Sequence, residues 1–155
     1  MQNKLKDIHA GTFTELNDLE EIFFENNQIE VLPEGLFNGN KNLRLISIYE
    51  NKLKEIHGEA FVDLPALTFL QLGDNQLEML PATIFRSTTK LTKLYLDNNK
   101  LKGIDSDTFK GLTELMFLEL NDNQIEVLPK GLFDDNQKLI SVEQAFGQNF
   151  NLIVV

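Results

Sequence analysis

The chain has 155 residues, 42% of them hydrophobic, and a formal net charge of −10 from 24 acidic against 14 basic side chains. That length and apolar content support one domain with a sizeable core, and the negative charge argues against nucleic acid or an anionic membrane surface as partner, since both reward lysine and arginine. With no cysteine there is no disulfide, thiolate nucleophile or cysteine-ligated metal, and no apolar run approaches the roughly 20 residues of a membrane helix.

In chain order, the first segment opens on NKLKDI and runs to Phe13 with no strand ahead of it. The first predicted strand lies at about 21–25, where Leu19, Ile22 and Phe24 alternate with other residues before Asn27. Alternation of period two means a strand with one buried face. The same phrase returns from Leu43 (strand about 45–49, then Asn51 and Phe61) and from Leu67 (about 69–73, then Asn75 and Phe85). It returns again from Leu91 (about 93–97, then Asn99 and Phe109) and from Leu115 (about 117–121, then Asn123 and Phe133). A last unit begins at Leu139 and decays: Gln144 stands where the final strand leucine belongs and Gly147 where the asparagine belongs.

Three columns, of leucine, asparagine and phenylalanine, thus keep a period of twenty-four in mutual register. Such self-similarity marks a repeat architecture. One unit is too small to bury its own apolar face, so neighbours must stack into a continuous core. The asparagine amide, donor and acceptor at once, can satisfy backbone groups that a tight turn strips of ladder partners. Asn27, Asn51, Asn75, Asn99 and Asn123 are therefore expected to form a buried polar ladder with no catalytic role, and the phenylalanines a convex spine.

A second period lies inside the first. NQ-[IL]-E-x-LP follows at Asn27, Asn75 and Asn123, whereas NKLK-x-I follows at Asn3, Asn51 and Asn99, so the full unit is a pair of forty-eight residues. Lys6, Glu30, Lys54, Glu78, Lys102 and Glu126 then fall in one column. With strands about 4.8 Å apart, they are expected to form an alternating charge ladder along one flank.

The repeat resembles the leucine-rich repeat, specifically the 24-residue class of animal extracellular proteins of the Toll, Slit and small-proteoglycan type. The lines NQIEVLPEGLF and NDNQIEVLPKGLF carry that resemblance, which covers residues 1 to about 146. It implies an α/β-class solenoid, a curved horseshoe with a parallel β-sheet on its concave side and irregular or 3₁₀ structure on its convex side. It spans residues 1–155 as a single domain, with five full repeats starting at Leu19, Leu43, Leu67, Leu91 and Leu115 and partial units at both ends. Proteins of this kind mostly bind other proteins, and an extracellular setting goes with them: secreted, or a receptor ectodomain. Their usual cysteine-rich caps are missing, and a cysteine-free array could also be cytosolic or bacterial.

Function is expected on the concave face. Read across the strands, its three columns are Glu21, Leu45, Phe69, Lys93, Phe117, Ser141; Phe23, Ser47, Gln71, Tyr95, Glu119, Glu143; and Glu25, Tyr49, Gly73, Asp97, Asn121, Ala145. Phe23, Tyr49, Phe69, Tyr95 and Phe117 should face solvent, and aromatic residues mark interface cores. Glu21, Glu25, Asp97, Glu119 and Glu143 would prefer a protein partner with basic groups. A structural spacer is the alternative, although a spacer has no use for that aromatic set.

Catalysis finds little support. Glu119 and Glu143 lie one strand spacing apart, near the ~5 Å carboxylate separation of a retaining glycosidase, but an open face supplies no burial to raise a pKa. His9 and His57 occupy the same repeat position two turns apart, roughly 10 Å, too far to share zinc. Ser47 has no histidine base on its face, and no glycine-rich phosphate loop occurs. The expectation is a non-enzymatic binding module without cofactor or metal.

The open ends suggest a fragment of a longer solenoid. Phe146, Phe150 and the apolar run 152–155 should either fold back over the last repeat or promote end-to-end self-association.

Overall fold

The computed structural model describes residues 3–143. The expectations for residues 144–155, including the folding back of the tail, lie outside the described residues. Eight short strands form: β1 (Glu21–Phe23), β2 (Val31–Leu32), β3 (Leu45–Ser47), β4 (Glu55–Ile56), β5 (Phe69–Gln71), β6 (Lys93–Tyr95), β7 (Phe117–Glu119) and β8 (Ser141–Glu143). Six of them make one parallel sheet in the order β1-β3-β5-β6-β7-β8, and β2 and β4 make a second, two-stranded one. The register of the large sheet is a shift of one repeat at every step, so Ile22, Ile46, Leu70, Leu94, Leu118 and Val142 are successive Cα partners. The expected solenoid is the observed one. Its convex side is irregular, closed by isolated i→i+3 turns such as Asn40 N–H to Phe37 O (3.0 Å). No helix occurs among the described residues.

The spine packs as a stack. Phe13, Phe37, Phe61, Phe85, Phe109 and Phe133 follow one another with ring centroids 5.9–6.4 Å apart and planes within 8–16°. Phe37, Phe61, Phe85 and Phe109 are fully buried. Each ring closes the convex side of its own turn and covers the ring of the next.

The asparagine ladder supplies the polar half of the core. In Asn99, Oδ1 accepts from Leu77 N–H at 2.9 Å, while Nδ2 donates to the carbonyls of Leu72 (3.0 Å), Leu96 (3.3 Å) and Asp97 (3.1 Å). Asn51, Asn75 and Asn123 repeat that set of partners one turn at a time. Each amide thus clasps its own turn to the preceding one. Immediately before the ladder stands a column in the left-handed region: Asn26, Glu50, Asp74, Asn98 and Asp122, with φ between 49° and 58°. Asparagine and aspartate tolerate that region because their short side chains can bond locally, which explains four of the five. Glu50 fits the column despite its residue type.

The forty-eight-residue pair reappears in the interior. At one convex position the chain alternates Leu16, Asn40, Leu64, Thr88, Leu112 and Asn136. Asn40 and Asn136 are buried and donate across to the preceding turn, Asn40 to Phe13 O (2.8 Å) and Leu16 O (2.9 Å).

On the flank the pair has a larger consequence. Lys54 bonds Glu30 and Lys102 bonds Glu78, through the side chains at 2.8 and 2.6 Å and through Lys N–H to Glu C=O at 2.8 and 3.3 Å. No equivalent bond joins Glu78 to Lys54 or Glu126 to Lys102 among the described residues. The expected continuous charge ladder is instead a series of separate pairs. Proline accompanies the broken steps. His57 N–H reaches Leu32 O at 3.0 Å, but the same position in the alternate turns is Pro33, Pro81 and Pro129, which have no N–H to give. Next to Pro81 the flank opens into a cleft of about 510 Å³ lined by Ile56, Met79, Leu80 and Pro81, with Lys54 and Glu78 among the polar residues at its wall.

Candidate functional site

The concave columns assemble in the expected order, because the same one-repeat register that stacks the leucines also stacks the residues between them. Glu21, Leu45, Phe69, Lys93, Phe117 and Ser141 are successive Cα partners, as are Phe23, Ser47, Gln71, Tyr95, Glu119 and Glu143.

The aromatic side chains do not all stand up into solvent. Phe23 is 58% exposed, and Glu21 and Glu25 are exposed, while Tyr49, Phe69, Tyr95 and Phe117 are half-buried. They lie down against neighbours on adjacent strands. Phe69 and Tyr95 are diagonal neighbours whose rings meet at 5.3 Å and 45°. Lys93 holds its Nζ 5.5 Å above the centroid of Phe117, a cation–π contact. Ser47, expected on the surface, is 2% exposed and donates its hydroxyl to Glu25 Oε1 at 2.7 Å.

Between β1, β3 and β5 the face sinks into a hollow of about 250 Å³ lined by Phe23, Glu25, Leu45, Ser47, Tyr49, Phe69 and Gln71. Several of its polar atoms are engaged: Ser47 Oγ with Glu25 Oε1, Tyr49 with Asp74, and Gln71 Oε1 with Gly73 N–H at 2.7 Å. The floor therefore offers apolar surface. The volume is below the ~300 Å³ of ordinary small-molecule pockets and suits one side chain.

Beyond β5 the character changes. Asp97 is half-buried, with its Oδ1 turned inward and without a hydrogen-bond partner. Burial, with the charges of Asp74 and Asp122, pushes its pKa up, against the lowering effect of hydrogen bonds from its own backbone and from Asn98. Space for this carboxylate comes from Gly73, where a Cβ would sit 2.5 Å from Asp97 Oδ1. Tyr49 donates its phenol proton to the Asp74 carboxylate, and that bond, with burial, raises its pKa to about 12. Neither the inward turn of Asp97 nor the Tyr49–Asp74 bond is legible from the columns. A glycine alone in a column of polar side chains is the one textual hint.

Glu119 and Glu143 are Cα partners on the open face. His57 lies on the exposed convex side, 3.5 Å from Glu34. Among the described residues no group of three or more His, Cys, Asp or Glu is placed to hold a metal ion, and no helix is long and apolar enough to cross a membrane.

Comparison with known proteins agrees with this geometry. The sequence profile of the Leucine rich repeat matches residues 25–77 and 89–141. No curated protein matches the chain. Among solved structures, one similar chain comes from the octameric complex of Latrophilin 3 (Lec, Olf), Unc5D (Ig, Ig2, TSP1) and FLRT2 (LRR), with TM-score 0.73 and 26% identity over 81% of this chain and 39% of that one. Another comes from the Toll–Spatzle complex of Drosophila, a hub of development and innate immunity, with TM-score 0.67 and 25% identity over 88% of this chain and 22% of that one. The chain thus spans well under half the length of either.

Proposed function

The chain belongs to the leucine-rich repeat family, and from that premise we propose that it is a non-catalytic, protein-binding module whose ligand face is the concave sheet. The observation that carries this reading is the aromatic set Phe23, Tyr49, Phe69, Tyr95 and Phe117, gathered on one face by the register. Aromatic residues anchor interfaces because they bury large area at low entropic cost. Glu21, Glu25, Asp97 and Glu119 surround them and favour a partner with basic groups. The FLRT2 and Toll structures are themselves of protein complexes, which supports protein as the partner class and an extracellular setting, secreted or in a receptor ectodomain.

The test is capture. Replacing Phe69, Tyr95 and Phe117 together by Ser should leave the circular dichroism spectrum unchanged and abolish retention of the partner from a native extract. Retention at the wild-type level by the folded variant would move the ligand site off the concave face.

A further inference from the structure

We propose that the concave face is split into an apolar seat and a cationic seat, and that it recognises an extended peptide laid across the strands, whose apolar side chain and whose arginine or lysine three to four positions away fill the two. This rests on the concave face being the ligand face, and adds the chemistry and spacing of the partner.

The apolar seat is the hollow over β1, β3 and β5. Phe23, Leu45 and Phe69 form its apolar lining, while Ser47 Oγ is bonded to Glu25 Oε1 and Gln71 Oε1 to Gly73 N–H. A polar group placed against Phe23, Leu45 and Phe69 would lose water without a bond in return, whereas an apolar side chain there gains by leaving water. The cationic seat lies over β6 and β7. Tyr95 faces Glu119 as its Cα partner, and Asp97 follows two residues on. Burial first, and then the charges of Asp74 and Asp122, disfavour the ionised form of Asp97. A cation brought there relieves that repulsion. A cation over an aromatic ring already occurs on this face, in Lys93 over Phe117. Lys93 is the sole basic residue of the three concave columns, so the face as a whole is acidic. A second copy of this chain, at −10, is repelled rather than recruited.

Geometry sets the spacing. From β3, at the centre of the hollow, to β6 and β7 is two and three strand steps, or roughly 10–14 Å at ~4.8 Å per step. An extended peptide covers that span in three to four residues at ~3.3 Å each. β3, β5, β6 and β7 are each paired on both edges. The partner therefore cannot add a strand here, and recognition falls to its side chains.

The experiment is selection of a random dodecapeptide library displayed on phage against the whole chain, counter-selected on the Phe69→Ser/Tyr95→Ser variant. Enriched peptides are expected to carry arginine or lysine three or four positions from leucine, isoleucine or phenylalanine. Binding of a synthetic consensus peptide should weaken about tenfold when its cation becomes glutamine, and Asp97→Asn should then add no further loss. Phe23→Ser should likewise weaken the consensus peptide and leave unchanged the binding of a peptide whose apolar residue is serine. Phe23 is mostly exposed, so its loss spares the fold. Peptides that depend on the concave face but lack the paired residues or their spacing overturn this inference and leave the concave site standing. No enrichment, or enrichment that survives the counter-selecting substitutions, overturns both.

Discussion

The concave sheet and the flank of this solenoid are built from the same turns, yet one is continuous and the other is not. Along the large sheet β1, β3, β5, β6, β7 and β8 each meet their neighbour in one register. Along the flank Glu30 meets Lys54 and Glu78 meets Lys102, with a gap between the two pairs. The difference is one of donors. Each of the five full turns brings its own strand N–H groups and one ladder asparagine. On the flank, alternate turns bring proline, and a ladder cannot cross a residue that has no N–H.

The largest effect is expected where the continuous side is broken. Asn99→Ala or Asn75→Ala removes the buried acceptor of Leu77 or Leu53 N–H, and an unpaired buried donor costs about 1–3 kcal/mol. Urea melts measure it; losses under about half a kcal/mol at both sites would show that the ladder is not what closes the turns.

A smaller loss is expected at Asn40→Leu. The carbonyls of Phe13 and Leu16 that Asn40 serves also accept from Leu16 N–H (2.9 Å) and Leu19 N–H (3.1 Å). Leucine already fills the equivalent place at Leu64 and Leu112. The cost should stay below about 1 kcal/mol. A cost equal to that of Asn99→Ala would mean that the forty-eight-residue alternation is as essential as the twenty-four-residue one.

Restoring a donor to the flank should change stability little and structure visibly. Pro81→Ala gives up ~0.4–1 kcal/mol of chain restraint and offers an N–H to Ile56 O, worth ~0.5–1.5 kcal/mol if made. The two nearly cancel. The informative readout is hydrogen exchange: the new amide at position 81 should be protected, and an unprotected amide there would mean that something other than the missing donor keeps the cleft open.

The faintest effect belongs to the ion pairs. A double-mutant cycle between Lys54 and Glu30 should show coupling, and one between Lys54 and Glu78 should show none. Equal coupling in both would restore the continuous ladder. The hydrogen bonds and charges of Lys54 and Lys102 hold Glu30 and Glu78 below the ordinary carboxylate value of 4.5. A depressed folded-state pKa contributes stability above the unfolded value and loses it as pH falls through the folded one. The Lys54–Glu30 coupling should accordingly vanish on acidification and be intact at neutrality.

Much of the site is legible in the amino-acid sequence. The order of the concave columns over the described residues, the asparagine ladder and the phenylalanine stack follow from counting in twenty-fours, although the ladder is buried only at Asn51, Asn75 and Asn99 and half-buried at its ends, Asn27 and Asn123. What counting misses is how side chains settle. Ser47 and Tyr49 sit in columns that look alike in the text. Ser47 sinks to bond Glu25, and Tyr49 bends to Asp74. The left-handed column at residues 26, 50, 74, 98 and 122 is readable in four of its members and hidden by glutamate in the fifth.

The sequence by itself determined the solenoid, its strand positions and its register, because periods of two and twenty-four are properties of a line, and stacking converts a line of equal steps into a sheet. Only the tertiary structure decided which neighbour each lysine would take and which aromatic rings would meet. It also decided where the face would be apolar and where acidic. Lys54 and Lys102 each have a glutamate on either side at the same distance in sequence, and concave residues have both direct and diagonal neighbours across the strands. The choice among them depends on local gaps, missing donors and burial, which exist only once the turns are packed together.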